Sequence, residues 1–233
     1  MKQVIIAVLV VVGIIGGAVI FGKDKEVVGA TSSHVYGKAD SSVVIQEFAD
    51  FECPACGFFF PIAQEVKEKY KDQVAFQFKH FPLVQSHQNA LAAHRASEAA
   101  GKQNKFWEMH DLLYANQEVW NGPSQTDPVG IPTDQAIQIF EQYATNLSLD
   151  IAKYKIDVGA PETLATINAD TAEGKTTYSV QGTPTFIING KVISDTSTID
   201  SVEEFSALID EALGLNSNTQ VDQSKDTEAT TAQ

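Results

Sequence analysis

The chain has 233 residues, 43% of them hydrophobic, with 30 acidic against 16 basic side chains and a formal net charge of -14. That balance, with no basic patch visible, speaks against a nucleic-acid partner, because phosphate binding needs clustered lysine and arginine. Its length, less an apolar N-terminal run and a polar tail, suffices for one globular unit with a real core.

Residues 4–22 contain no charged or strongly polar side chain and nearly match the thickness of a bilayer's hydrocarbon core. The run is either a retained signal-anchor or a cleavable signal peptide. Its length favours the anchor, whereas Val28-Gly29-Ala30 offers small residues to a signal peptidase. Lys2 precedes the run and Lys23 and Lys25 follow it, so positive charge alone would not export the rest of the chain. An outward orientation rests instead on the cysteine chemistry described below and on the run's N-terminal position.

Residues 43–48 form a β-branched strand-like run, and residues 74–81 alternate apolar and polar. Between them, residues 53–70 have helical periodicity with Phe59, Ile62, Val66 and Tyr70 on one stripe, and Pro61 is expected to kink that helix. Residues 86–178 read as helical almost throughout, Ala-rich at 89–100 and rich in aromatics and Leu at 106–114. Further helices start near Thr133 and Pro161. Thr133 and Asp134 suit a helix N-terminus, although Ala136 three residues on rules out a capping box. A proline- and glycine-bearing loop spans 121–132. Strand character returns at 185–188, followed by the hairpin signal Asn189-Gly190, a second strand at 191–194 and an amphipathic helix at 202–213.

The expected division is a membrane anchor or signal segment with linker at 1–30, one α/β domain from 31–85 and 179–214, a helical insertion at 86–178 and a disordered polar tail at 215–233.

The only two cysteines sit together as Cys53-Pro54-Ala55-Cys56, after a strand and at the head of a helix. A cysteine there has its thiolate stabilised by unpaired backbone N–H groups and the helix dipole, which is what dithiol redox chemistry requires. The alternative is half of a structural zinc site. Zinc wants four ligands, and the five histidines, His34, His80, His87, His94 and His110, lack the spacing of a zinc hook. No metal and no other cofactor is expected.

Three segments carry a family resemblance: Glu47-Phe48-Ala49-Asp50-Phe51-Glu52-Cys53-Pro54-Ala55-Cys56, Phe106-Trp107-Glu108-Met109-His110-Asp111-Leu112-Leu113 and Val180-Gln181-Gly182-Thr183-Pro184-Thr185-Phe186. In that order they resemble the DsbA-like thiol-disulfide oxidoreductases, in their membrane-anchored or Gram-positive-like branch. The resemblance implies a thioredoxin fold with an inserted helical domain. Cys53 is then the attacking thiol and Cys56, one turn further in, the buried resolving thiol. Strong oxidants of the family carry Pro-His between the cysteines, so Pro54-Ala55 puts extreme oxidising power in doubt. The resemblance also implies a cis Pro184 that turns the Thr183 backbone toward an extended substrate; the alternative is a trans proline opening an edge strand. Glu47 matches the family's acidic residue beneath the site and could relay the Cys56 proton, unless it reaches solvent from a strand end.

His87 and His94 could share a helix face but read as ordinary surface or packing residues. Phe106, Trp107 and Met109 read as core of the insertion. Phe58, Phe59 and Phe60 offer apolar surface to unfolded substrates, with core packing taking at least one. These features describe an extracytoplasmic, membrane-anchored, monomeric disulfide oxidase acting on newly exported cysteine-containing proteins, and the resemblance implies reoxidation by a membrane quinone-linked thiol oxidase. An isomerase or reductase, and a chaperone-like binder with a structural cysteine pair, are the rival readings.

Overall fold

A computed structural model of the chain describes residues 29–123, 129–193 and 199–215. The apolar run at 4–22, the tail from 216 onward, part of the 121–132 loop and Ser194 lie outside the described residues. Among the described residues no helix is long and apolar enough to cross a membrane.

Five strands, β1 (Val35–Gly37), β2 (Val44–Ala49), β3 (Ala75–His80), β4 (Thr185–Ile188) and β5 (Lys191–Val192), form one sheet in the order β1-β3-β2-β4-β5. β2 and β3 are parallel, and the other neighbours are antiparallel. Parallel neighbours need a crossover, which α1 (Pro54–Tyr70) supplies. Pro61 lies within α1, and the helix continues through it to Tyr70. Six helices then intervene between β3 and β4: α2 (Ala90–Gly101), α3 (Phe106–Ala115), α4 (Gln117–Trp120), α5 (Thr133–Asn146), α6 (Ile151–Gly159) and α7 (Pro161–Thr177). The terminal helix α8 (Val202–Ala212) packs on α1.

The sheet separates two apolar clusters. On one face Ile45, Phe59, Val66, Phe186, Phe205 and Ile209 join β2, β4, α1 and α8. On the other, Phe51, Phe78, Phe106, Met109, Trp120 and Phe140 continue from the sheet into the helical insertion. Asn189 and Gly190, both at positive φ (50° and 80°), make the tight turn from β4 to β5, and the Asn189 side chain accepts from Val44 N–H at 2.8 Å.

Two elements escaped the sequence reading, and one expectation needs correction. β1 is too short to show an alternating pattern, and α6 merges in the sequence with its helical surroundings, so neither stood out. Thr133 opens α5 as expected, with Pro132 at the cap position and the Thr133 hydroxyl donating to Asn89 Oδ1 at 2.6 Å. Finally, His87 lies in the segment before α2 while His94 is fully buried inside it, so the two share no helix face and His94 is no surface residue.

Candidate active site

Cys53 caps the N-terminus of α1 with an extended backbone (φ -68°, ψ 122°), and Pro54 follows at the first helical position, where its missing N–H costs nothing. Pro54 and Ala55 are exposed, Cys53 keeps 7% of its surface and Cys56 only 1%. The Thr183-Pro184 peptide bond is cis, as the resemblance implies, and brings that loop against the cysteines: the Cys53 thiol donates to the Thr183 carbonyl, Sγ to O 3.4 Å. Pro184 is buried and Thr183 half-buried.

The two sulfurs differ in acidity. A hydrogen bond from the Cys56 thiol brings the Cys53 pKa down to about 6 against the resistance of burial, helped by the Thr183 side chain and by the N–H groups of Cys56 and Ala55. Those N–H groups face the sulfur short of a fully formed side-chain cap, so their help is mainly that of the helix N-terminal field. Burial, and then the proximity of Cys53, push the Cys56 thiol well up.

Glu47 points from β2 to the α1 face of the sheet, into a small cavity shared with Lys67, Gln77 and Trp107. That cavity leaves the residue some accessible surface although its carboxylate is desolvated; burial raises its pKa to about 7, partly opposed by Lys67. Lys67 is itself buried, its ammonium 4.4 Å from the centre of the Trp107 ring. Trp107 therefore reaches past the insertion core, where Phe106 and Met109 remain. Of the three phenylalanines, Phe59 is core, Phe60 packs partly against the insertion and Phe58 is 68% exposed.

Sequence reasoning missed the polar frame behind the cysteines. Asp50 is fully buried and accepts from Glu52 N–H (2.9 Å), Leu83 N–H (2.7 Å) and His87 Nδ1 (2.7 Å), with His94 Nε2 3.7 Å away. Burial disfavours its charge, but the hydrogen bond from His87 and the nearness of the His94 ring prevail and hold its pKa well below the usual carboxylate range. Beyond His94, His80 Nδ1 stands 2.6 Å from His94 Nδ1, and Glu98 Oε1 meets both His80 Nε2 and His34 Nε2 at 2.7 Å. Glu52 accepts from Asn89 N–H and Gly122 N–H, both at 2.6 Å. Gln117 Nε2 donates to the carbonyls of Phe51 (2.7 Å) and Cys53 (3.0 Å), an approach that the absent side chain of Gly57 permits. His94 and Glu98, four apart on α2, were the one local signal of this frame; its other members come from distant segments. Among the described residues no group of three or more His, Cys, Asp or Glu is arranged to hold a metal ion.

A dithiol at the head of the first long helix, facing a cis-proline loop across a β1-β3-β2-β4-β5 sheet, defines a thioredoxin-fold protein. Residues 30–211 match the family model described as Thioredoxin. The chain is 31% identical over 199 residues to the "Probable disulfide bond formation protein D" of Bacillus cereus, covering 80% of this chain and 85% of that protein. It is also 35% identical over 158 residues to the Na(+)/H(+) antiporter NhaA 3 of Salinispora tropica, where the match covers 68% of this chain but 22% of the antiporter, about a fifth of its length. Among solved structures, oxidised BdbD of Bacillus subtilis superposes with a TM-score of 0.62 at 22% identity, over 77% of this chain and 92% of that one. The chain belongs to the thioredoxin family, among its DsbA-like thiol-disulfide oxidoreductases.

Proposed function

We propose that the chain oxidises cysteine pairs of newly exported proteins through Cys53 and Cys56. The observation that carries this reading is the contrast between the two sulfurs, one with its pKa lowered to about 6 beside the Thr183 carbonyl, the other buried and held protonated. A substrate thiolate attacks Sγ of Cys53 in the Cys53–Cys56 disulfide, forming a mixed disulfide and releasing the Cys56 thiolate, which takes a proton relayed by Glu47. A second substrate thiolate attacks the substrate sulfur of that mixed disulfide and expels Cys53 as a thiolate. The low pKa of Cys53 makes it a good leaving group. The substrate loses two electrons and the protein gains them.

In this reading the exposed Pro54 and Ala55 flank the reacting sulfur, and Thr183 and Pro184 line the groove in which an extended substrate pairs with backbone. The thioredoxin-like part comprises 31–85 and 179–214, with the helical insertion at 86–178. The N-terminal segment holds a monomer to the membrane with its dithiol outside the cytoplasm, and a quinone-linked membrane thiol oxidase reoxidises it.

The test is trapping in cells. Cys56→Ser is expected to accumulate mixed disulfides on non-reducing gels, because Cys53 still attacks substrate disulfides and no Cys56 thiol is present to release it, whereas Cys53→Ser accumulates few. Equal trapping by both variants, or more with Cys53→Ser, would overturn this assignment of roles. Redox titration of the full chain against glutathione separates an oxidase from a reductase.

A further inference from the structure

His87 has no part in the exchange steps above, yet the segment carrying it wraps the turn that leads into Cys53. Three bonds make that wrap: Leu83 N–H and His87 Nδ1 to Asp50 Oδ2, both at 2.7 Å, and Asn89 N–H to Glu52 Oε2 at 2.6 Å. The turn itself is closed by Cys53 N–H to the Asp50 carbonyl at 3.1 Å. His87 is thus gripped through one ring nitrogen by a buried carboxylate three residues ahead of the reactive thiol.

The grip has chemical consequences. With Nδ1–H committed to Asp50, the ring's orientation is set and Nε2 is its other nitrogen, open to protonation. The side chain keeps 15% of its surface, so that proton can come from solvent. The ring touches Asp50, and the charges that act on it through space are those of Asp50, Cys53 and Glu52, all on the same turn. The bond to Asp50 is the main cause of a raised His87 pKa; burial opposes it, and the charges of Asp50, Cys53 and Glu52 add to it. Glu52 works against a thiolate, but its carboxylate is committed to Asn89 N–H and Gly122 N–H.

We propose that His87, held by Asp50, supplies the imidazolium that faces the Cys53 thiolate, a charge that Ala55 cannot supply from between the cysteines. This rests on the exchange reading above and deepens it: the cation stabilises the thiolate that must leave at the end of each turnover. Coupling between two sites is reciprocal, so the thiolate must raise the His87 pKa by as much as the imidazolium lowers that of Cys53.

Reciprocity supplies the test, on the full chain. The His87 ring is titrated by NMR in the oxidised and reduced protein. Thiolate absorbance of the reduced protein is titrated with and without His87→Gln. The His87 pKa is expected to be about one unit higher in the reduced protein, because the disulfide carries no charge. Cys53 in His87→Gln is expected to titrate about one unit higher than in the parent. That shift means a roughly tenfold loss of thiolate on the acid side and a potential about 30 mV more reducing. A merely structural His87 would not titrate differently in the two redox states. Identical His87 titrations overturn the proposal, and they decide it even if His87→Gln does not fold. A folded His87→Gln whose thiolate curve superimposes on that of the parent overturns it too. A parent Cys53 that itself titrates near 8.5 instead overturns the activated-thiol reading on which both proposals stand.

Discussion

His80 Nδ1 and His94 Nδ1 lie 2.6 Å apart inside the protein, so only one of the two imidazoles carries a proton at that contact. Burial lowers the His94 pKa to about 4 and that of His110 to about 3. The unfolded chain protonates both near 6.5, so it binds more protons than the fold as pH drops from about 6.5 toward 3, and stability falls through that window. His87 works oppositely: its raised pKa contributes stability at low pH that is lost as pH rises through the folded value, weakened by partial exposure. The urea midpoint is expected to decline from pH 7 to pH 4, and His110→Phe to flatten the decline. A midpoint in the parent that holds steady over that range would contradict this.

The Cys53 pKa of about 6 predicts that thiolate absorbance of the reduced protein rises near pH 6, with Cys56 silent until far higher pH. Lowered in the fold relative to the unfolded chain, the Cys53 group stabilises the reduced protein fully above about pH 9, and this contribution disappears as pH falls through 6. Reduced protein should therefore gain stability relative to the disulfide form between those values, as urea unfolding of both forms would reveal.

Glu47→Gln removes a proton acceptor from beneath Cys56 while keeping its shape. Reaction of the reduced protein, in which Cys56 must lose its proton, is expected to slow on the order of tenfold above pH 7, where the parent Glu47 is ionised, and little below pH 5. Because the carboxylate pKa is raised by burial, the folded parent loses stability from the unfolded value of about 4.5 up to about 7. The variant should thus be more stable at pH 8, by on the order of 1–3 kcal/mol, and unchanged at pH 4. Stopped-flow rates that match the parent at every pH would remove Glu47 from the mechanism.

Glu52 joins the Cys53 turn to the insertion through Asn89 N–H and Gly122 N–H. Glu52→Ala leaves two buried donors unpaired and is expected to cost about 2–4 kcal/mol. Burial raises the Glu52 pKa, opposed by those same two bonds, so protonation does not itself destabilise the parent and the loss in the variant reports the missing bonds. Denaturant unfolding at pH 7 measures it; a cost below about 0.5 kcal/mol would mean that water replaces the carboxylate.

Much of this protein is written in short stretches of its chain. The strand–dithiol–helix order at 44–70, the Asn189-Gly190 turn and the amphipathic α8 are local patterns, because backbone sterics and hydrophobic periodicity act over a few residues. The asymmetry between Cys53 and Cys56 is local as well, since their places at a helix cap and one turn inside it follow from spacing alone. The face taken by Glu47, the companionship of Lys67 with Trp107 and the whole frame of Asp50, His87, His94, His80 and Glu98 were decided by tertiary structure. Desolvation and hydrogen bonding between segments far apart in sequence set those positions, and a histidine's sequence neighbours do not reveal which carboxylate will meet it once the chain has packed.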